Sequence, residues 1–135
     1  MKHRKSKQRS EIIKILSKKN YHPTADEIYT TLRKKLGNVS LATVYRNVEL
    51  LSRMNEIVKI KTDEGPARYD GNTEPHYHAV CEKCGLVKDV PVKKEISEIV
   101  DMDSAIKDFT VTEYYVRFKG FCNSCRDKMQ DKKSQ

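Results

Sequence analysis

The sequence has no long hydrophobic run, few glycines and prolines, and only four cysteines. No apolar stretch approaches the roughly 20 residues that span a bilayer, and the basic start leads into no apolar signal core. Five glycines and four prolines are too few for a fibrous or low-complexity chain. These absences predict a soluble, cytoplasmic protein without membrane contact, whose cysteines serve metal or redox chemistry instead of disulfides.

The positive charge is concentrated in the first half of the chain. Residues 1–70 contain 16 basic and 8 acidic side chains, whereas residues 71–135 contain 11 of each, so the whole net charge of +8 lies in the first half. Lys and Arg clustered in this way typically neutralise phosphates, which predicts a nucleic-acid partner. The alternative is a solvated surface kept positive for solubility.

Three short helices are predicted in the basic half. Residues 8–19 carry isoleucine and leucine among charged residues, as in a short amphipathic helix. A capping box at Thr24 opens a second helix that Gly37 closes, and Ser40 is a plausible N-cap for a third that runs to about Met54.

A β-hairpin over residues 57–61 and 67–69 follows the three helices, with turn-forming residues between its strands. Three helices followed by a hairpin form a winged helix, whose last helix enters the major groove of DNA. Thr43, Arg46 and Asn47 fall off the apolar stripe of the third helix and can reach bases or phosphates, although each is compatible with an ordinary exposed position. The candidate DNA contacts are Arg9, Ser40, Thr43, Tyr45 and Arg46.

The second half is predicted to mix strands and helices. Its expected elements are strands at 77–80 and 85–90, a helix over 92–106, a strand over 109–119, a helix from Cys122 to about Met129, and a frayed tail. Such a small αβ module, with a strand able to pair with its own copy, fits a dimerisation unit. The predicted fold is α+β, with a winged-helix DNA-binding domain over residues 1–70, a hinge at about 68–74, and an αβ dimerisation domain over residues 75–135.

Two Cys-x-x-Cys pairs account for every cysteine. Cys81 and Cys84 form the first pair, and Cys122 and Cys125 form the second. Four thiolates are what a tetrahedral zinc ion needs, so these cysteines predict one structural zinc per subunit. A redox dithiol is the competing interpretation, but two pairs without a thioredoxin-like strand and helix disfavour it.

A second ligand set is suggested by histidines and aspartates. His76 and His78 are two residues apart in an extended segment, so both imidazoles share one face. Asp70 and Asp89 can join them, and His22 can do so only if the two halves fold together. Imidazole with carboxylate suits Fe(II), Mn(II) or exchangeable zinc, although a lone His-x-His is more often surface decoration.

Several motifs resemble the ferric uptake regulator family over nearly the whole chain. They are Gln8-Arg9, His22-Pro23-Thr24-Ala25-Asp26-Glu27-Ile28-Tyr29, Leu41-Ala42-Thr43-Val44-Tyr45-Arg46-Asn47, Arg68-Tyr69-Asp70, His76-Tyr77-His78-Ala79-Val80-Cys81-Glu82-Lys83-Cys84-Gly85, and the final Cys-x-x-Cys. The resemblance implies a homodimeric, metal-dependent transcriptional repressor that binds a palindromic double-stranded DNA operator.

Within this family the chain most resembles the peroxide-responsive branch. That resemblance implies one regulatory Fe(II) or Mn(II) per subunit, bound by His22, Asp70, His76, His78 and Asp89. Asp70 favours this branch, because iron-sensing members typically have Glu there. Peroxide would then oxidise His22 or His76 when Fe(II) is bound, relieving repression of oxidative-stress and metal-homeostasis genes. The alternative is a ferric or zinc uptake regulator that metal loss, without oxidation, releases from DNA.

Two further functional classes compete with a metal sensor. A constitutive, zinc-stabilised DNA-binding protein would bind DNA regardless of Fe(II) or Mn(II). A metallohydrolase would use His76, His78 and an aspartate, but the short chain offers no evident substrate cleft and the basic half would go unexplained. The protein is therefore not expected to be an enzyme.

Overall fold

The computed structural model describes residues 2–63, 65–102 and 107–133, and it divides into two compact units, Met1–Glu74 and Pro75–Gln135. The first unit contains helices α1 (Lys2–Ile15), α2 (Ala25–Leu36) and α3 (Leu41–Arg53), followed by strands β1 (Val58–Ile60) and β2 (Arg68–Asp70). The second contains β3 (His76–Cys81), β4 (Val87–Pro91), α4 (Ile96–Ile99), β5 (Arg117–Gly120) and α5 (Asn123–Lys133). The predicted α+β class is confirmed.

The first helix differs from its prediction at both ends. It begins at Lys2 instead of residue 8, and it ends at Ile15 instead of Lys19. The hydroxyl of Ser17 donates to the carbonyl of Lys14 at 2.7 Å, and Asn20 adopts a positive φ of 54°. These local features accompany the end of the helix, and the pattern of apolar and charged residues along the sequence does not reveal them.

The second and third helices begin where their caps predict. The side chain of Thr24 accepts a hydrogen bond from the backbone N–H of Glu27, and the side chain of Ser40 accepts one from the N–H of Thr43. Such caps satisfy backbone donors that a helix leaves unpaired at its start. The apolar stripes of α1, α2 and α3 then meet in one core, which includes Ile12, Leu16, Ile28, Leu32, Val44, Val48 and Leu51.

Asn47 was predicted to face outward, and this prediction is wrong. Asn47 is buried, and its side-chain amide donates to the carbonyl oxygen of buried Gln8 at 3.1 Å. Its position explains the result, because Asn47 follows Val44 by three residues and precedes Leu51 by four, which places it on the buried stripe. The pair links α1 to α3 inside the core.

We expect Asn47→Ala to destabilise the first unit by about 1–3 kcal/mol, because it leaves the buried amide of Gln8 without its partner. Urea unfolding followed by circular dichroism measures this change. Asn38→Ala is the matched control, since Asn38 is exposed. Equal unfolding midpoints for the two variants would show that the Gln8–Asn47 bond contributes nothing measurable.

The hairpin is attached to helix α3 through Glu49. The ammonium group of Lys59 on β1 donates to the Glu49 carboxylate at 2.6 Å, and the Tyr69 hydroxyl on β2 donates to the same oxygen at 3.2 Å. The hydrogen bond from Lys59 lowers the pKa of Glu49, while burial and the nearby Glu49 charge raise the pKa of Tyr69. Tyr69 therefore remains the proton donor and Glu49 the acceptor.

The second unit contains a three-stranded sheet in the order β4-β3-β5. Strand β3 pairs with β4 antiparallel, placing His78 opposite Asp89, and pairs with β5 in parallel. Among residues 75–102 and 107–131, only Cys81, Val87 and Cys125 are buried. This part of the unit therefore has almost no apolar core of its own.

Two predictions for the second unit need correction. Of the helix predicted over 92–106, the structure contains Ile96–Ile99, and residues 103–106 lie outside the described chain. Of the strand predicted over 109–119, only the end belongs to β5. Phe109 and Tyr115 are 70% and 76% exposed, and residues 109–116 pair with no strand of the described chain. A β-prone sequence forms a strand only where another strand supplies the hydrogen bonds.

The final helix is longer than predicted, reaching Lys133 instead of Met129. It therefore includes part of the tail that was expected to be frayed. None of the described helices is long and apolar enough to cross a bilayer.

Candidate metal centres

The four cysteines of the second unit come together in one cluster. Cys81 ends β3, Cys84 follows in a turn that Gly85 completes with a φ of 78°, and Cys122 and Cys125 lie at the start of α5. All four sulfur atoms lie within 4.8 Å of one another, and the Sγ atoms of Cys84 and Cys122 are 3.7 Å apart. Four sulfurs at ~2.3 Å from a tetrahedral zinc ion lie ~3.8 Å apart. The cluster therefore suits structural zinc.

Backbone hydrogen bonds prepare this cluster for a cation. The backbone N–H of Cys122 donates to the Cys81 sulfur at 3.4 Å, and this bond is the main cause that lowers the pKa of Cys81 to about 6. The pKa of Cys125 is raised, chiefly by its hydrogen bond with the Cys122 side chain. A zinc ion binds cysteines as thiolates, and the backbone N–H of Cys122 stabilises that form of Cys81.

A histidine and aspartate group lies on β3 and β4 of the second unit. Nε2 of His76 and Nε2 of His78 lie 3.2 Å and 3.4 Å from the same carboxylate oxygen of Asp89. The two imidazoles share a face because their residues are two apart on β3, and their ring centroids are 4.5 Å apart. The cross-strand register thus places three candidate ligands together.

The first unit contains a smaller group of the same chemistry. Nε2 of buried His22 lies 3.3 Å from one carboxylate oxygen of buried Asp70. The other oxygen of Asp70 accepts a hydrogen bond from the backbone N–H of Asn72 at 2.9 Å. That turn fixes the carboxylate with one oxygen directed at the imidazole.

Both groups offer the nitrogen and oxygen donors that a divalent transition-metal ion binds. In each contact, an imidazole nitrogen faces a carboxylate oxygen, and the two lone pairs repel each other unless a proton or a cation lies between them. Neutral imidazole with carboxylate suits Fe(II) or Mn(II), because hard oxygen ligands favour these ions over softer ions that prefer thiolate. The histidines and aspartates therefore suit a regulatory ion of this kind.

The side chain of Arg68, for which the sequence patterns predict no role, supports the backbone of His22. Its guanidinium donates to the backbone carbonyl of His22 at 2.8 Å. The backbones of Arg68 and Thr24 also form an isolated antiparallel β-bridge. Arg68 adjoins Tyr69 and Asp70 in the motif Arg68-Tyr69-Asp70. That adjacency is the only sequence signal that points to it.

Gly71 follows Asp70 and permits a close backbone approach. A Cβ atom on Gly71 would lie 2.4 Å from the carbonyl oxygen of Leu16 and 2.9 Å from its Cβ atom. We expect Gly71→Ala to destabilise the first unit by about 1–3 kcal/mol, because the backbone of Leu16 must shift. Thermal unfolding measures the loss. Gly120→Ala is the control, since a Cβ there meets nothing within 4 Å, and equal losses would contradict the assigned clash.

The candidate DNA contacts lie on α1 and on the first turns of α3. Arg46 is exposed, Tyr45 is 40% exposed, and Thr43 and Arg9 are half-buried. The hydroxyl of Ser40 caps α3 and lies 2.7 Å from that of Thr43, to which Arg46 donates at 3.4 Å. The cap therefore adjoins the side chains at the N-terminal end of this helix.

Comparison with known proteins agrees with these features. The model of the ferric uptake regulator family matches residues 1–119. The peroxide-responsive repressor PerR of Staphylococcus aureus is 35% identical over 121 residues, which cover 90% of this chain and 81% of that protein. The crystal structure of the Campylobacter jejuni peroxide stress regulator is similar at a TM-score of 0.76 and 31% identity, covering 90% of this chain and 91% of that one.

A second solved structure, the Helicobacter pylori ferric uptake regulator Fur, is described as having three functional metal binding sites. It is similar at a TM-score of 0.73 and 25% identity, over 89% of this chain and 80% of that one. The interpretation as a metallohydrolase is therefore set aside. The chain belongs to the ferric uptake regulator family, whose members are metal-responsive transcriptional regulators and not enzymes.

Proposed function

We propose that the protein is a homodimeric transcriptional repressor that senses hydrogen peroxide through one regulatory Fe(II) per subunit. The ligands in this proposal are His22, Asp70, His76, His78 and Asp89. The observation that carries it is that each unit contains an incomplete group of the same donors, His22 with Asp70 in one and two histidines with Asp89 in the other. The similarity to peroxide-responsive repressors supports this branch.

One ion bound by both groups would tie the DNA-binding unit to the second unit. Dimeric DNA-binding proteins need two recognition helices at a spacing that matches two half-sites. A ligand set drawn from both units would fix the angle between them, so metal binding raises operator affinity without any contact between metal and DNA. The residues proposed to face the DNA are Arg9, Ser40, Thr43, Tyr45 and Arg46.

Dimerisation is proposed to occur through the second unit. Many large apolar side chains of its described residues are exposed, which is unusual for a monomer. They are Leu86, Ile99, Val100, Phe109, Val111, Tyr114, Tyr115, Phe118 and Phe121. A twofold dimer would cover such a surface, and it would recognise a palindromic operator.

The peroxide response is proposed to begin at a ligand histidine. When bound, Fe(II) supplies the electrons that reduce peroxide, and Mn(II) in the same position is far less reactive. In the net reaction the imidazole of His22 or His76 would give up two electrons and gain one oxygen of hydrogen peroxide at a ring carbon, and the other oxygen would leave as water. The hydrogen of that carbon would move to a ring nitrogen, whose lone pair would then be lost from the ligand set. The remaining donors would hold the ion weakly and the angle between the two units would no longer be fixed. Repression of oxidative-stress and metal-homeostasis genes in the cytoplasm would then end.

Selection of DNA by the protein tests the regulatory part of this proposal. Zinc-loaded protein is used to select binding duplexes from a random pool, with and without Mn(II), and the affinity for the selected duplex is then measured at increasing Mn(II). We expect a palindromic duplex whose affinity rises about 5- to 150-fold with the metal. Equal affinity at every Mn(II) concentration would favour a constitutive DNA-binding protein.

A further inference from the structure

We infer that the hydrogen bond from Tyr69 to Glu49 transmits metal binding at Asp70 to the recognition helix α3, which makes Tyr69 a positioning residue. This inference rests on the proposed function and adds the path by which the DNA-binding unit responds. Every residue in the path lies within the first unit.

The path begins at the candidate ligands. Tyr69 directly precedes Asp70 on β2, and its backbone N–H donates to the carbonyl of Pro23 at 2.9 Å. Arg68, on the other side, donates to the carbonyl of His22 at 2.8 Å. The loop that carries His22 and the strand that carries Asp70 are therefore bonded to each other beside Tyr69.

The path continues through the Tyr69 side chain. Successive residues of a strand point to opposite faces, so the side chains of Tyr69 and Asp70 leave β2 in opposite directions. Tyr69 is only 2% exposed, and its hydroxyl donates to the Glu49 carboxylate at 3.2 Å. One strand residue thus separates a candidate ligand from a hydrogen bond to α3.

The path ends near the proposed DNA contacts. Glu49 follows Arg46 by three residues, which makes the two side chains neighbours on the helix surface. Lys59 donates to the same Glu49 oxygen at 2.6 Å, so α3 is bonded to both strands of the hairpin at one point. A shift of β2 when Asp70 takes or loses a cation must therefore move α3 with it or break this bond.

Breaking the bond between Tyr69 and Glu49 is costly because the Tyr69 ring is buried. Because Tyr69 is almost fully covered, water cannot easily replace Glu49 as the partner of its hydroxyl, and a bond to a charged group is stronger than one between neutral groups. Removing the hydroxyl while retaining the ring should uncouple the strand from the helix. The metal would still bind, but α3 would respond less.

The experiment measures the coupling ratio, defined as the DNA dissociation constant without Mn(II) divided by that with saturating Mn(II). The variant is Tyr69→Phe in the full, zinc-loaded chain, and the probe is the duplex selected by the wild-type protein. We expect the ratio to fall toward one, by at most the roughly 13- to 160-fold that one hydrogen bond to a charged group can contribute. A merely structural or electrostatic effect changes both dissociation constants equally and leaves the ratio unchanged.

Two further variants keep the test decisive. Glu49→Ala removes the acceptor at a half-buried helix position, together with its bond from Lys59. It therefore tests the same point of attachment even if Tyr69→Phe fails to fold, and adding Tyr69→Phe to Glu49→Ala should cause no further loss. Tyr29→Phe is the matched control, because the Tyr29 hydroxyl accepts from Arg33 within the same helix at 3.3 Å. It should keep the wild-type ratio.

The outcomes separate this inference from the proposed function. A wild-type ratio of one overturns both, because there is then no metal effect to transmit. A large wild-type ratio that Tyr69→Phe and Glu49→Ala leave unchanged overturns this inference alone. A lowered ratio in both variants, with Tyr29→Phe unchanged, supports it.

Discussion

Removal of zinc is expected to unfold the second unit while the helices of the first unit persist. Among its described residues, Cys81, Val87 and Cys125 are the only buried ones, so the cysteines themselves form most of the interior. Structural zinc sites contribute about 10–16 kcal/mol of apparent binding free energy, comparable with the whole stability of a typical domain at about 5–15 kcal/mol. The first unit has its own apolar cluster and does not depend on the ion.

Hydrogen exchange with mass spectrometry measures this effect by segment. After chelation, peptides from β3, β4 and α5 should lose their protection, whereas peptides from α2 and α3 should retain theirs. Cys125→Ser should reproduce the loss and reduce the zinc content from one ion per chain. Ser124→Ala is the control, because Ser124 is exposed and lies between Cys122 and Cys125. This variant should bind zinc normally. Full protection of the second unit after zinc removal would contradict a structural role for the ion.

Asp89→Asn is expected to abolish the effect of Mn(II) on DNA binding. Both His76 and His78 face one oxygen of Asp89, at 3.2 Å and 3.4 Å, so this carboxylate is shared by two candidate ligands. Asparagine has the same shape but no charge, and it is a much poorer ligand for Fe(II) or Mn(II). The loss should equal the whole metal-dependent gain, about 5- to 150-fold in affinity.

Fluorescence anisotropy with the selected duplex measures that loss. Asp89→Asn should retain one zinc per chain and the DNA affinity of the metal-free wild type, which separates loss of the regulatory ion from unfolding. Asp108→Asn removes an exposed charge from the same unit and should respond to Mn(II) like the wild type. A wild-type response in Asp89→Asn would exclude this carboxylate from the regulatory ligands.

Features encoded by neighbouring residues were predictable from the sequence. The caps at Thr24 and Ser40 and the pairing of cysteines by Cys-x-x-Cys spacing depend on residues within a few positions, so local chemistry determines them. The α+β class follows from the same signals. The His-x-His spacing on β3 was likewise visible, and Asp89 was proposed as a further ligand. Its position beside both imidazoles depends on the cross-strand register, which the spacing alone does not specify.

Features that depend on distant residues were predicted poorly. The burial of Asn47 depends on Gln8 from another helix, and the bond from Tyr69 to Glu49 joins a strand to a helix 20 residues away. The strand expected over 109–119 shows the same limit, since its Thr and Tyr residues favour a strand but only a partner strand provides the hydrogen bonds. Propensity specifies what a segment can form, and tertiary contacts decide what it does form.

The central claim is that bound Fe(II), but not Mn(II), makes the protein lose its DNA when peroxide is present. The direct test exposes zinc-loaded protein on the selected duplex, with either ion, to hydrogen peroxide, and then measures DNA binding and the masses of the histidine-containing peptides. The account predicts lost binding and one added oxygen on the His22 or His76 peptide only in the Fe(II) sample. Metal-dependent binding without any added oxygen would contradict it and would instead indicate an uptake regulator released by loss of its metal.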